Sequence, residues 1–359
     1  MKILFAPSNI ASMPAITAQA MVALGHEAKC ITLSDNLITS KNEHVILLKH
    51  HSIRNPFLYG YYKLVYLLTL YKLLKWCDVV HWTWNTALPF SLDLKLIKWM
   101  KKPRFIEWVG SDIRIPEVTM AESPFYKEAY SNGYEYSTME NKMSSYRNQN
   151  NFAKHGFVPI LVPEMQLFLK TGLFEMVHTT QYRIPTAKFD AHYPELQNEK
   201  IVIVHSPSAK IAKGSNYILP VVESLKEKYN IEFVLLHNVP RSEVLNAMSK
   251  ADIFIDQIIL GSFAAAAIEA MSFGKPVVAY IMPSVYKKGI SKDCPIVNAN
   301  PSTLKEKLIE LIESPKLRRD IGKRSRAYVE KVHDAKLVSQ TLLEIYKSSS
   351  KLTTITRHI

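Results

Sequence analysis

Short apolar runs of strand length recur along the chain, separated by stretches whose apolar residues return every three or four positions. By that pattern residues 2–6, 28–33, 45–48, 79–80 and 104–108 are strands. Between them, residues 14–24 carry helical spacing closed by Gly25. Residues 56–76 form a long apolar and aromatic stretch, and residues 92–100 are amphipathic. A last strand of this half is expected over 175–180. The alternation then begins again. Strands are predicted at 201–204, 232–236, 253–256, 277–278 and 296–298, and helices at 215–229, 241–250, 301–313 and 315–328. Strands alternating with helices predict parallel sheets, and near-continuous apolar strands predict sheets covered on both faces. Residues 115–165 break the rhythm. They are polar and rich in Tyr and Asn, and are expected to be short helices and loops capping the first half.

A chain of 359 residues is too long for one ordinary core and suits two domains. The polar crossing at 194–200 sets them at 1–196 and 197–334, with a C-terminal helix over 335–359. The excess of 45 Lys+Arg over 32 Asp+Glu gives a net charge of +13, which favours anionic partners. No zinc finger, helix-turn-helix or RNP-type strand points to nucleic acid, so no nucleic-acid partner is expected. Cys30, Cys77 and Cys294 match no metal or redox spacing, and a sparse, odd count fits a reducing cytosol. The N-terminus enters a strand directly, without a signal-peptide layout. No uncharged apolar run approaches the ~20 residues of a spanning helix.

The densest chemistry lies at 264–279, Ala-Ala-Ala-Ala-Ile-Glu-Ala-Met-Ser-Phe-Gly-Lys-Pro-Val-Val-Ala. Small residues open a helix whose first N–H groups have no helical acceptor and attract anions. Glu269 sits about 7–8 Å further along the axis, at 1.5 Å per residue. That separation suits a ligand with a diphosphate at one point and a diol at another. Upstream, the loop from His205 carries Ser206, Lys210, Lys213 and Gly214. A cation pair at a helix start is what a diphosphate leaving group needs. In Gly261-Ser262-Phe263 the glycine permits close approach and the serine caps, while Phe263 packs either a ligand or the core. His81-Trp-Thr-Trp-Asn85 ends a strand; its rings beside His81 and Asn85 suit stacking on a sugar, or are buried core. Residues 54–76 mix Tyr, Phe and Leu with Arg54, Lys63, Lys72 and Lys75. That mix suits a helix lying among anionic head groups, or a core helix with its lysines outward. There is no Walker loop, no Gly-x-Gly-x-x-Gly, no serine elbow and no metal-ligand spacing.

Glu269-Ala-Met-Ser-Phe-Gly-Lys-Pro-Val-Val resembles the donor-binding signature of the large bacterial family of retaining glycosyltransferases with the GT-B fold. The order Asp256-Gln257, Gly261-Ser262-Phe263, Glu269 is similar to a polysaccharide-biosynthesis branch in which the family's upstream Glu is absent; Gly261 stands there. The resemblance implies an α/β architecture of two Rossmann-like domains facing an interdomain cleft, the C-terminal helix crossing back onto the first. It assigns Glu269 to ribose hydroxyls, Lys213 to the diphosphate and the backbone of Asn238 and Val239 to the base. The family's Arg falls near Ser208, with Lys210 close by. Gly110-Ser-Asp-Ile-Arg114 falls at the mouth of the cleft, with Val109 where the family has His. There Asp112 is a base, a sugar-hydroxyl acceptor or an ion-pair partner of Arg114. The family's glycines in the first loop are absent, leaving Asn9 or Ser12 to meet the acceptor. The implied activity is transfer of a sugar from a nucleotide-sugar to a glycan or lipid-linked acceptor in surface polysaccharide synthesis. Anomeric configuration would be retained, with no cofactor or metal, in the cytoplasm and peripherally on the inner membrane face. Two alternatives share the fold: a nucleotide-sugar 2-epimerase and a non-catalytic binding subunit.

Overall fold

A computed structural model describes residues 1–33, 43–48 and 55–355. In the first half β1 (Lys2–Ala6), β2 (Glu27–Thr32), β3 (Val45–Leu47), β4 (Val79–Thr83), β5 (Arg104–Glu107), β6 (Val158–Leu161) and β7 (His178–Thr179) form one sheet. Its order is β3-β2-β1-β4-β5-β6-β7. In the second half β8 (Ile201–His205), β9 (Ile231–Leu235), β10 (Ile253–Ile255), β11 (Val277–Ala279) and β12 (Val297–Asn298) are ordered β12-β11-β10-β8-β9. All the paired strands described are parallel. The inner strands are apolar on both faces: Ile3, Leu4 and Phe5 of β1 and Ile253, Phe254 and Ile255 of β10 are fully buried. In each sheet the strand order reverses beside the first strand, between β1 and β4 and between β8 and β10. Parallel sheets bind ligands outside the carboxyl ends at such reversals, so the loops after these four strands are where a site belongs.

The stretch 115–165 holds more than the caps expected of it. Helices Pro116–Met120, Pro124–Ser131 and Lys142–Lys154 are followed by β6, a full member of the first sheet. The apolar run Phe157-Val-Pro-Ile-Leu-Val162, bounded by Gly156 and Pro163, carries that strand inside otherwise polar sequence.

Two bridges tie the halves together. On one side residues 122–135 pack onto the second half. Ser123 Oγ donates to the Ile259 carbonyl and Tyr280 Oη to the Glu122 carbonyl, both at 2.8 Å. The Glu135 carboxylate accepts from the Ile211 and Ala212 amides at 2.8 and 2.9 Å. On the other side the helix Ala335–Ile355 returns to the first sheet and packs against the helix Met13–Ala23. Its Tyr346 is fully buried, with Oη 2.5 Å from His81 Nδ1. Residues 356–359, part of the expected C-terminal helix, lie outside the described residues.

Candidate functional site

Two cavities meet between the halves. The first, of about 390 Å³, is walled by Trp84, Gly110, Arg114 and Glu164 from the first half and by Gln257 and Ser262 from the second. The second, of about 260 Å³, is walled mainly by the second half, through Ser206, Asn238, Val239, Arg241, Ala265 and Glu269. Ile10, Val109, Tyr182, Ser208, Lys213 and Ala264 belong to both, so Lys213 stands where the cavities join.

The residue after Lys213 is what brings it to this wall. Gly214 turns the chain at φ +81°, and a Cβ there would meet Ile258 Cγ1 at 2.7 Å. Only glycine gives both the left-handed turn and that approach. The turn is pinned from below by His205, whose Nε2 is 2.8 Å from Ser215 Oγ and whose Nδ1 is 2.9 Å from the Ile255 carbonyl. Burial pushes the His205 imidazole down to about 4, so the ring is neutral at pH 7. The Lys213 ammonium pairs with Asp256 Oδ1 at 2.8 Å, and Asp256 Oδ2 accepts from the Ala264 amide at 2.9 Å. One carboxylate thereby holds the lysine beside the start of the helix Ala265–Ser272. Ala265 and Ala266, in the first turn, have N–H groups without a helical acceptor and line the second cavity.

Glu269, one turn on, lines the same cavity. Its Oε1 accepts from both Nε (3.2 Å) and Nη2 of Arg241. Burial raises the Glu269 carboxyl above its ordinary value, against the pull of the Arg241 charge. Ser262 lines the first cavity, and its buried Oγ has no hydrogen-bond partner among the described residues.

The remaining candidates divide. Ser206, Asn238 and Val239 line the second cavity, Asn238 at a left-handed φ of 58°. Lys210 is exposed and lines neither. Gly261 also lines neither; at φ +84° its missing side chain makes room for Met282. Phe263 is core, its ring edge-on to His333 at 5.9 Å. In the first half Asn9 is buried, with Oδ1 accepting from the Ala15 amide at 3.1 Å, so it shapes the loop while Ile10 and Ala11 meet the cavities. Ala11 (φ 51°) and Ser12 (φ 60°) take the left-handed turn that glycines would adopt more easily.

His81 does not face the cleft. It is fully buried, with Nε2 3.1 Å from Glu107 and Nδ1 on Tyr346. Asn85 lines neither cavity, and its carbonyl accepts from Trp82 Nε1 at 3.0 Å; Trp84 is the residue of that loop in the wall. Asp112 turns into its own loop, accepting from the Gly110 amide at 2.8 Å and the Val109 amide at 3.2 Å. Burial pushes its carboxyl up to about 7 against those amides. Arg114 does line the first cavity, but its ion pair is with Glu140 at 2.5 Å, where Tyr126 and Tyr134 also donate. Sequence reasoning missed Arg241, Glu164 and Tyr182. Arg241 had a signal, since it opens a helix just past the carboxyl end of β9.

Residues 220–328 match the sequence model of the glycosyl transferases group 1 family. No curated protein sequence matches the chain. Among solved structures the chain is similar to sucrose-phosphate synthase from Thermosynechococcus elongatus, with a TM-score of 0.65 at 13% identity over 98% of this chain and 100% of that one. It is similar to a glycosyltransferase from Rickettsia africae, with 0.61 at 15% identity over 97% of each chain. It is also similar to Anabaena HepE in complex with UDP-glucose, with 0.62 at 12% identity over 97% of this chain and 100% of that one. At such identities the likeness carries the fold, which is GT-B: two Rossmann-like domains across a cleft.

Proposed function

We propose, from the premise that its group 1 domain makes this protein a glycosyltransferase, that it moves a sugar from a nucleotide-sugar in the second cavity to an acceptor in the first. The observation that carries this reading is Lys213 in the wall common to both cavities. The base rests on the Asn238–Val239 turn, and the ribose diol meets the Glu269 oxygen that Arg241 leaves open. The diphosphate lies between the Lys213 ammonium and the first turn at Ala265, and the donor sugar reaches Ser262. As the bond from the anomeric carbon to phosphate breaks, its electron pair passes to the diphosphate. Lys213 meets that growing charge from a largely buried position, where it stabilises more than in water. The acceptor hydroxyl attacks from the same face and its proton goes to the departing phosphate oxygen, so configuration is retained. The charge being met by Lys213, the reading asks for no cofactor or metal. Anabaena HepE is described with UDP-glucose, which puts UDP conjugates first among donors.

Calorimetry against UDP, GDP, CMP, ADP and their sugar conjugates tests the site. One nucleotide is expected to bind selectively. Glu269→Ala and Arg241→Met should each weaken it about 10- to 100-fold, the worth of a hydrogen bond to a charged group. Removing the ribose 2′-hydroxyl from the ligand should cost the wild type more than either variant. If no nucleotide binds, the donor-site reading falls.

The same reading places the enzyme on the inner face of the cell membrane with a lipid-linked acceptor in surface polysaccharide synthesis. The helix Pro56–Trp76, capped by Asn55, carries no acidic residue and leaves Phe57 88%, Tyr61 60%, Leu64 54% and Leu68 52% exposed. Phe90 and Trp99 of the same half are also exposed, at 85% and 71%, and Lys72 and Lys75 are exposed on the helix itself. Rings and leucines flanked by cations suit anionic head groups. Lys63 is not part of the cationic set, because its Nζ donates inward to the Ala87 carbonyl at 2.7 Å. Arg54 lies outside the described residues. Among those described, no helix is long and apolar enough to cross a membrane. Replacing Phe57, Leu64 and Phe90 by Ser is expected to lower co-sedimentation with phosphatidylglycerol vesicles about tenfold or more, at roughly 1.5–3 kcal/mol per fully buried side chain. Nucleotide affinity should not change. Undiminished sedimentation would remove the membrane from the reading.

A further inference from the structure

One carboxylate in the cleft has no part in the reaction above. Glu164 is the second residue of the 3-10 turn Pro163–Phe168, just past the carboxyl end of β6, and lines the first cavity. Among the residues lining that cavity it is the only Asp or Glu. Asp112 is turned into its own loop amides, and Glu140 stands behind Arg114.

Tyr182 Oη donates to Glu164 Oε1 at 2.6 Å, and Tyr182 lines both cavities. The carboxylate is therefore held by a residue common to both cavities, as Lys213 is. An ionised carboxylate offers about four acceptor positions, more than the single Tyr182 hydroxyl occupies. Glu164 is 5% exposed, and burial raises its carboxyl above the ordinary value while the Tyr182 hydroxyl, its own backbone amide and the Arg114 charge pull it back. The wall around it is aromatic and apolar: Trp84, Tyr136, Met165 and Phe168. A few polar groups set in such a lining are what orients a small ligand, and the apolar face of a sugar ring packs on rings of this kind.

We propose that Glu164, oriented by Tyr182, binds the acceptor sugar by accepting a hydrogen bond from one of its hydroxyls, and so presents a neighbouring hydroxyl to the sugar–diphosphate bond. The ligand class is a glycoside with adjacent free hydroxyls. The inference rests on the transferase reading and completes its acceptor side. The proton of the attacking hydroxyl still leaves with the phosphate, so Glu164 directs the acceptor and is not the base.

The test uses the 359-residue chain with octyl glucoside, galactoside and mannoside as acceptors and the donor found by calorimetry. Glu164→Gln is expected to raise the acceptor KM tenfold or more. Nucleotide Kd should stay within about twofold, donor hydrolysis by water should persist, and the melting temperature should be unchanged. Tyr182→Phe, which frees the carboxylate without removing it, should shift the acceptor KM the same way by less. An unchanged acceptor KM overturns the proposal, and so does a parallel loss of nucleotide affinity and thermal stability, which marks a merely structural pair. If the wild type turns over no donor, the transferase reading fails by itself. Saturation-transfer NMR of the octyl glycosides then decides the Glu164 site alone. Signal lost in Glu164→Gln supports it; equal signal in both proteins, or none with the wild type, overturns it.

Discussion

Lys213→Ala is expected to slow glycosyl transfer by about 10²–10³-fold, more than it weakens nucleotide binding. The ammonium faces a diphosphate in both the ground state and the transition state, but the charge on that group grows only as the sugar bond breaks. Ground-state loss should be that of one charge-assisted contact, roughly 1.5–3 kcal/mol. The remainder appears in kcat, because it belongs to an interaction that strengthens at the transition state. The variant also strips Asp256 of its 2.8 Å partner, leaving that carboxylate with the Ala264 amide. Asp256→Asn made alone and in combination separates loss of the cation from disturbance of the helix start. Lys213→Arg should not rescue, since a longer, planar guanidinium cannot take the place of the compact ammonium held on Asp256 Oδ1. Rates with the best donor decide the matter. A fall in kcat/KM no larger than the fall in affinity would leave Lys213 a binding residue only, and an unchanged rate would move the diphosphate elsewhere.

The place of Lys213 and Glu269 in the cavity walls was legible in the sequence for a physical reason. Each sits beside a backbone feature that only particular residues permit: the left-handed Gly214 after one, the small-residue helix start and Gly274 stop around the other. The inner strands of the second sheet, β8, β10 and β11, were legible because both their faces are buried, which writes an apolar run. His81 and Asp112 were misplaced because proximity to a ligand-binding loop along the chain does not say where a side chain turns. His81 is decided by Tyr346, 265 positions away, and Asp112 by two amides of its own loop that needed an acceptor. Phe263 could pack either way on sequence alone; His333, from a distant helix end, decided it. Glu164 was out of reach because β6, which delivers it, is a short apolar run inside polar sequence. Arg241 was in view but carried no sign of its partner, since Glu269 lies 28 residues on and meets it only in the folded sheet.

Arg183→Met is expected to destabilise the protein by about 3–5 kcal/mol, the cost of leaving a buried charge without its partner. Arg183 and Glu107 are both buried, joined by two parallel bonds: Nη1 to Oε1 at 2.8 Å and Nη2 to Oε2 at 2.7 Å. Arg183 Nε donates to Thr17 Oγ1 at 2.7 Å, and Glu107 also meets His81, which meets Tyr346. The helix Met13–Ala23, β4, β5 and the returning C-terminal helix thus share one polar knot beneath the cleft. Burial alone would push the Glu107 carboxyl up. The Arg183 charge, with hydrogen bonds from His81 and Arg183, outweighs it and brings the group down to about 2. A carboxyl depressed in the folded state stabilises above its unfolded value near 4.5, and that stability is lost as pH falls toward 2. Without Arg183 the sign reverses. Burial dominates, the folded carboxyl rises above 4.5, and the folded protein must hold a proton that the unfolded chain releases. The deficit relative to wild type should therefore widen from pH 4 to pH 8 in urea unfolding. Arg183→Met with Glu107→Gln should recover more than half of it, because a neutral amide leaves no charge to bury. A deficit that is flat with pH and equal in the single and double variants would mean that Arg183 acts through packing volume alone.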